Sequence, residues 1–473
     1  MDLFTWEGLE EEQVLFLDDE NRKITGKDLK NFSEKQCKKM ESGKLLFLLC
    51  QNKVECMMTY LLALHKGVLV LLLDDGINDE LLNNLEETYK PNYIACTDKN
   101  RKLSGYRILE KAGDYLFYCR QEAVEHTYNR DLALLLTTSG STGSPKLVKI
   151  SKENIISNAE SIAQYLKISK EQRPVTVLPM HYTFGLSIVH SHLCKNATIL
   201  VTNKTLLEKE FWDFIKKEKA TSISGVPYTY EILKRVGFLD RNDLSIKTLT
   251  QAGGKLPEQL QEEYAVFSRK NGIDFYVMYG QTEATARMGY LPPEYSCEKI
   301  GSMGIAIPGG RFELQDEGEN PITEPYKIGE LIYYGKNVTL GYAQNLEDLK
   351  AEDQWKGCLR TGDMACFDED GFFYIKGRNK RFIKMFGNRI SLDEIERLLK
   401  NHFEVDCAAT GIDNELRIWY VKENQLDENE MKSFLWETTN ISERNMKFQV
   451  IKSIPRNSSG KTIYKEIEEN TKI

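Results

Sequence analysis

The chain has 473 residues, with 63 lysines and arginines against 71 aspartates and glutamates, a formal net charge of −8, and 41% hydrophobic residues. That length exceeds one simple core and calls for two or three domains. The acidic balance excludes nucleic-acid binding driven by overall charge. Ten cysteines are scattered, none in C-x-x-C spacing, as expected of reduced thiols packed as small apolar residues in a cytoplasmic protein. The opening "MDLFTWEGLEEEQ" is acidic where a secretory leader is basic and then apolar. The longest apolar runs, such as Val68–Leu73, are strand-sized and too short to cross a bilayer.

Along the chain, "LLFLLC" (45–50) reads as a buried strand, followed by a helix over 54–65, "VLVLLL" (68–73), a helix over 78–89 and "YIAC" (93–96). Short apolar strands separated by helices predict a largely parallel α/β sheet. The rhythm recurs at "TVLPM" (176–180), "ATILV" (197–201), "SISGV" (222–226) and "TLTQAGG" (248–254). After about residue 300, glycine and proline rise and strands alternate in "RFELQD", "GELIYYG" and "GFFYIKGR", predicting a smaller β-rich unit over about 300–377. A compact α+β tail follows, with a helix over 392–400, a strand over 416–421 and a helix over 428–437. The domain boundary falls near Lys380, giving a body of residues 1–379 and a tail of residues 380–473.

"LLLTTSGSTGSPK" (134–146) turns from apolar residues into hydroxyls, glycines and one lysine. Backbone N–H groups and the hydroxyls of Thr138, Ser139, Ser141 and Thr142 suit phosphate oxygens, and Gly140 and Gly143 let that backbone approach closely. A Walker A loop would place lysine directly after the last glycine, followed by a hydroxyl. Here Ser144 and Pro145 separate Gly143 from Lys146, and Leu147 follows. A flexible Ser/Gly linker is the bland alternative, disfavoured by the strand-like run just before it.

The loop closely resembles the phosphate loop of the adenylate-forming enzymes: acyl- and aryl-CoA synthetases, adenylation domains of peptide synthetases, and luciferases. Further segments match in the same order, together covering about Leu134 to Lys461. In "MYGQTEAT" (278–285) the resemblance implies that Tyr279 stacks on adenine, Thr282 contacts the α-phosphate and Glu283 serves Mg2+, with Gly280 in the same nucleotide site. A flat π surface, a neutral donor and a hard oxygen ligand fit those tasks. "QAGGK" (251–255), with Gly253 and Gly254, matches the segment beside adenine, and "GELIYYGKNVTLGY" (329–342) a mainly structural motif. In "RTGDMACFDEDGFFY" (360–374) Asp363 matches the carboxylate that takes the ribose hydroxyls; alone, Asp after Gly is ordinary turn chemistry. In "GRNKRFIKMFGNRISLDEIE" (377–396) Arg378 matches a ribose or phosphate contact, Lys380 the hinge, and Lys384 and Gly387 the second-step site. The bland reading of this stretch is a solvated basic face. Lys461, in "IPRNSSGKTIYK" (454–465), matches the catalytic lysine that bridges the attacking carboxylate and the phosphate.

The resemblance implies an AMP-forming ligase that makes carbon–sulfur bonds, with ATP and Mg2+ as cofactors and CoA or a phosphopantetheine carrier as thiol acceptor. The acid and ATP are both anions, so positive charge and oriented donors carry the first step. The acyl-AMP is a mixed anhydride that a closing tail would shield from water. The acid pocket is expected around "PMHYTFGLSIVHSHL" (179–193) and "GVPYTY" (225–230), with His181, Tyr182, Gly185, Tyr228 and Gly253 as candidates. Amino-acid-activating relatives usually carry an Asp where Gly185 stands, which disfavours an α-amino acid and favours a non-amino carboxylic acid, acyl or aryl. His190 and His192 form H-x-H, but residues i and i+2 do not share a helix face, so a metal pair is disfavoured. The chain ends twelve residues after Lys461, so no fused carrier domain is expected and a separate acyl-carrier protein stays open as partner. The competing readings are an amino-acid ligase loading a carrier and an adenylate-binding regulator without catalysis.

Overall fold

The computed structural model describes residues 1–35, 40–97, 101, 103–122, 124–137, 147–378, 381–385, 388–412, 414–422, 426–439, 441–456 and 462–469. Two mixed sheets form the body. The first has eight strands in the order Tyr342–Ala343, Leu147–Ser151, Leu132–Thr137, Leu69–Asp74, Leu45–Cys50, Tyr93–Cys96, Tyr115–Arg120, Tyr106–Ala112. Its four central strands run parallel and its flanks antiparallel.

The continuous apolar runs follow from burial on both faces. Leu46, Leu48, Val70 and Leu72 point into one core with the Val54–Lys66 helix. Leu45, Phe47, Leu49, Leu69 and Leu71 point into another with the Asp79–Tyr89 helix. The second sheet orders Ser222–Gly225, Thr248–Gln251, Asp274–Tyr279, Gly289–Tyr290 and Ile305–Ala306, parallel over its first three strands. Helices Lys152–Tyr165 and Thr183–Leu193 contribute to cores of both sheets, so they lie between the two.

The expected strand over 176–180 does not form. Only isolated bridges occur, at Pro174 with Ser222 and Val175 with Leu200. The stretch is apolar because Val175, Leu178 and Met180 each enter a different core. The expected strand over 197–201 shortens to Ile199–Val201, beside the Val14–Asp18 and Lys23–Thr25 hairpin.

The β-rich unit is a four-stranded antiparallel sheet ordered Arg311–Gln315, Gly329–Tyr334, Cys358–Phe367, Phe373–Arg378. Beyond it, a hairpin (Phe382–Met385 and Asn388–Ser391), helices Leu392–Phe403 and Glu428–Thr439, and strands Cys407–Ile412, Glu415–Val421 and Met446–Ile451 form the tail. Its principal apolar cluster is drawn from residues between Ile383 and Phe448. No helix among the described residues is long and apolar enough to cross a membrane.

Candidate active site

The site begins where the Asp274–Tyr279 strand leaves the second sheet. Its turn is built by close backbone approach: a Cβ on Gly280 would sit 1.6 Å from the Ala286 carbonyl oxygen, so only glycine fits there. A single 3-10 turn, Thr282–Ala284, carries Thr282 and Glu283. Thr285 and Ala286 follow at φ 54° and 107°, conformations that persist only when surroundings hold them. Asn337 supplies that hold. Its backbone oxygen accepts from the Thr285 hydroxyl at 2.7 Å, and its side-chain nitrogen donates to the Ala284 carbonyl at 2.8 Å.

Asp363 lies in the bulged Cys358–Phe367 strand, register partner to Arg378 on the next strand, and not in a turn. The residue is 3% exposed. One oxygen accepts from the Tyr279 hydroxyl and, at 2.8 Å, from the Gln281 amide; the other faces the Arg378 guanidinium at 3.2 Å. Burial pushes the Asp363 carboxyl above its usual range, while Arg378 and the hydrogen bonds from Tyr279 and Gln281 pull the other way. Glu283 accepts from the Tyr342 hydroxyl at 2.8 Å, and its backbone oxygen accepts from the Thr339 N–H at 3.0 Å. Tyr279, Gln281, Asp363 and Arg378 thus form one knot, two residues along the same turn from Glu283. The chain has brought together residues separated by about eighty positions.

Further along the second sheet, Gly253 has φ 83°, and a Cβ there would meet the Tyr182 hydroxyl at 2.5 Å and Val226 Cγ1 at 3.0 Å. Gly254 packs against Pro227. Gly185 is closed by backbone, its Cβ direction ending 2.3 Å from the Pro179 oxygen. His181 Nε2 lies 3.6 Å from Asp74 Oδ2, and burial lowers its pKa while Asp74 raises it. Tyr228 is 44% exposed, whereas Tyr230 is fully buried among Tyr264 and Phe275, a core residue. Thr138, Ser139, Gly140, Ser141, Thr142, Gly143 and Lys146 lie outside the described residues, as do Lys380, Gly387 and Lys461. Lys384 sits on the tail hairpin opposite Arg389.

Sequence reasoning passed over Gln281 and Tyr342, which stood inside quoted motifs without a role of their own. It also passed over Arg287, whose signal was a lone charge between Ala286 and Met288.

His190 and His192 are both buried and serve the core. His190 Nε2 shares a hydrogen bond with the Tyr60 hydroxyl at 2.8 Å, and His192 Nδ1 with the Ile188 carbonyl at 2.9 Å. No group of three His, Cys, Asp or Glu side chains arranged for a metal occurs among the described residues. Burial lowers their pKa values to about 3 and about 4. Because the unfolded chain protonates first, stability is full above the ordinary histidine value and is lost as pH falls through roughly 6.5 toward 4. Urea unfolding is expected to show each histidine contributing a slope that steepens as pH falls from 7 and approaches about 1.4 kcal/mol per pH unit near pH 5, with the matching share absent from His190→Gln or His192→Gln. Equal slopes in wild type and variants would contradict it.

A knot of polar side chains thus gathers at the carboxyl end of a parallel strand, beside an acidic side chain on a tight turn, in a mixed α/β fold. The family model for AMP-binding enzymes matches residues 36–343, and the chain belongs to that family. It is 30% identical over 336 residues to 2-succinylbenzoate–CoA ligase of Bacillus pumilus, covering 70% of this chain and 67% of that protein. It is 26% identical over 445 residues to the ligase of the same name from Bacillus subtilis, covering 92% and 89%. Among solved structures, o-succinylbenzoate CoA synthetase from Bacillus subtilis, in complex with its acyl-adenylate intermediate, superposes with a TM-score of 0.81 at 23% identity, covering 98% and 96% of the two chains. That last likeness concerns the fold. The chain is an AMP-forming ligase that activates a carboxylic acid with ATP.

Proposed function

We propose that the acid is an aryl oxo-acid of the 2-succinylbenzoate kind and that the acceptor is CoA, as the names of the curated relatives suggest. The observation that carries the site assignment is the buried Asp363 carboxylate, held by Tyr279, Gln281 and Arg378. An acceptor-only group at this depth suits the paired hydroxyls of a ribose. The Tyr279 ring offers a face for the base, and Thr282 a neutral donor for the α-phosphate. Glu283 fits Mg2+: it is a hard oxygen donor with one oxygen taken by Tyr342. Mg2+ neutralises phosphate charge when bound. Lys146 and the hydroxyls and glycines of 138–143 are assigned to the phosphates, with Gly253, Gly254 and Gly280 closing the backbone around the base.

Lys461 is assigned to bring the carboxylate and phosphate together. A division near Lys380, with residues 380–473 moving as a tail, is supported by the tail's separate apolar cluster. Lys384 and Gly387 are placed at the thiol-transfer step on the resemblance alone. His181, Tyr182, Tyr228 and Gly253 are assigned to the acid pocket; Gly185 contributes only backbone there, which accounts for the lack of a side chain able to hold an ammonium. Unpaired thiols such as Cys50, Cys56 and Cys407 support a cytoplasmic setting.

Acid-dependent ATP–pyrophosphate exchange over fatty, aryl, aryl oxo- and amino acids tests the reading, followed by addition of CoA or an acyl-carrier protein. Exchange is expected with 2-succinylbenzoate and not with amino acids, and thioester is expected with CoA. A nucleotide-binding regulator would release no pyrophosphate with any acid.

A further inference from the structure

Arg287 is 1% exposed, yet it makes no ion pair among the described residues. Its Nε donates to the Ser187 hydroxyl at 3.1 Å and its Nη1 to the Tyr165 hydroxyl at 3.3 Å, with Met278 Sδ at 3.4 Å. The Phe184 ring lies 5.0 Å from the guanidinium carbon. Nη2 is buried with no hydrogen-bond partner among the described residues. All these neighbours are neutral, and so is the adjacent His192, whose pKa burial lowers to about 4. A buried guanidinium without a counter-charge is among the most costly groups a fold can carry, and it is retained where an anion meets it.

The backbone is arranged to put it there. Arg287 follows the two left-handed residues Thr285 and Ala286, and its own carbonyl accepts from the Asn158 amide at 2.9 Å and the Asn337 amide at 3.1 Å. Both asparagines are themselves buried. Strain held by buried amides, directing a lone cation inward, is costly unless the cation has a task. Its position is adjacent to the site: a Cβ on Gly280 would lie 2.9 Å from Arg287 Cα. The aromatic wall around it is continuous with the candidate acid pocket, through the edge contact of Phe184 with Tyr182, whose hydroxyl reaches Gly253.

We propose that Arg287 binds a second carboxylate on the acid, so that the preferred substrate is a dicarboxylic acid activated at one end and held at the other. The non-reacting carboxylate takes Nη2, while the reacting one meets the nucleotide at the Tyr279–Glu283 turn. This rests on the acid-adenylating reading above and names the substrate class within it. The 2-succinylbenzoate of the relatives' names is such a diacid.

The test is pyrophosphate exchange with matched pairs that differ only in the second carboxylate: 2-succinylbenzoate against 4-oxo-4-phenylbutanoate, phthalate against benzoate, adipate against hexanoate. Wild type is expected to favour a diacid over its partner by about 100-fold in kcat/KM. In Arg287→Gln the diacid-to-monoacid ratio of kcat/KM is expected to fall to within about threefold, chiefly through KM for the diacid. Arg287→Lys keeps the charge but not the fork, and is expected to raise the diacid KM about tenfold; it carries the test if the glutamine variant does not fold. Exchange supported equally by both members of each pair in wild type, or a folded Arg287→Gln with its preference intact, overturns the assignment and leaves adenylation standing. Exchange with no acid at all overturns both.

Discussion

Asp363→Asn is expected to lower kcat/KM for ATP by about 100-fold, through KM, while leaving the melting temperature of the free enzyme unchanged or higher. The carboxylate is buried, and burial raises its pKa against the pull of Arg378, Tyr279 and Gln281. A raised carboxyl pKa in the folded state means that the ionised form costs stability above that pKa, and that the cost is relieved as pH falls through it. The asparagine oxygen can still accept from Tyr279 and Gln281. Its NH2 then faces Arg378, donor against donor, but that side chain is 61% exposed and can turn to water. The free protein therefore loses little, whereas ribose hydroxyls lose a charged acceptor. Steady-state kinetics over ATP concentration and thermal melts at pH 7 and pH 4.5 check both halves. The difference in melting temperature is expected to shrink at the lower pH. An unchanged ATP KM would remove Asp363 from the nucleotide site.

Lys461→Ala is expected to slow formation of acyl-AMP by about 1,000-fold, while thioester formation from pre-made acyl-AMP stays within about threefold of wild type. The obstacle in the first half-reaction is the approach of two anions, and removal of a cation from their meeting point costs most in the transition state. In the second half-reaction a neutral acyl carbon is attacked, and no second anion has to be brought to the phosphate. Single-turnover measurements of each half-reaction separate the two. Equal losses in both would show that Lys461 supports the tail's position and not the chemistry.

The parallel strands were legible because burial on both faces leaves nothing but apolar residues. Leu45–Cys50 alternates between two cores with no polar break. The same signal misled at 176–180, where Val175, Leu178 and Met180 serve three cores from an irregular path. The Tyr106–Ala112 strand escaped notice because it lies at the sheet's edge, where charged residues such as Arg107 and Lys111 break the apolar pattern; the Tyr115–Arg120 strand beside it keeps the apolar run "YLFYC", a signal that was there to be read.

In the site, the family resemblance named Tyr279, Glu283, Asp363 and Arg378 as candidates but gave no contact among them. The meeting of Tyr279 and Asp363 depends on how a parallel sheet and an antiparallel sheet are set against each other, which no local pattern encodes. Gln281 and Arg287 were missed for the same reason: their partners lie far along the chain or on another helix. Gly185 shows the converse. Its identity argued about the substrate, while in the fold it answers first to the Pro179 carbonyl.

Arg378 touches both units at once. Its guanidinium rests on Asp363 in the body, while its backbone N–H donates to the Asp393 carboxylate of the tail at 3.3 Å. If a ribose takes the Asp363 oxygens, it competes with the guanidinium, and nucleotide occupancy and tail orientation then bear on one residue, the first through its side chain and the second through its backbone. Linkage then runs in both directions: whatever free energy nucleotide binding spends in loosening the tail, a tail already swung away returns as tighter nucleotide binding.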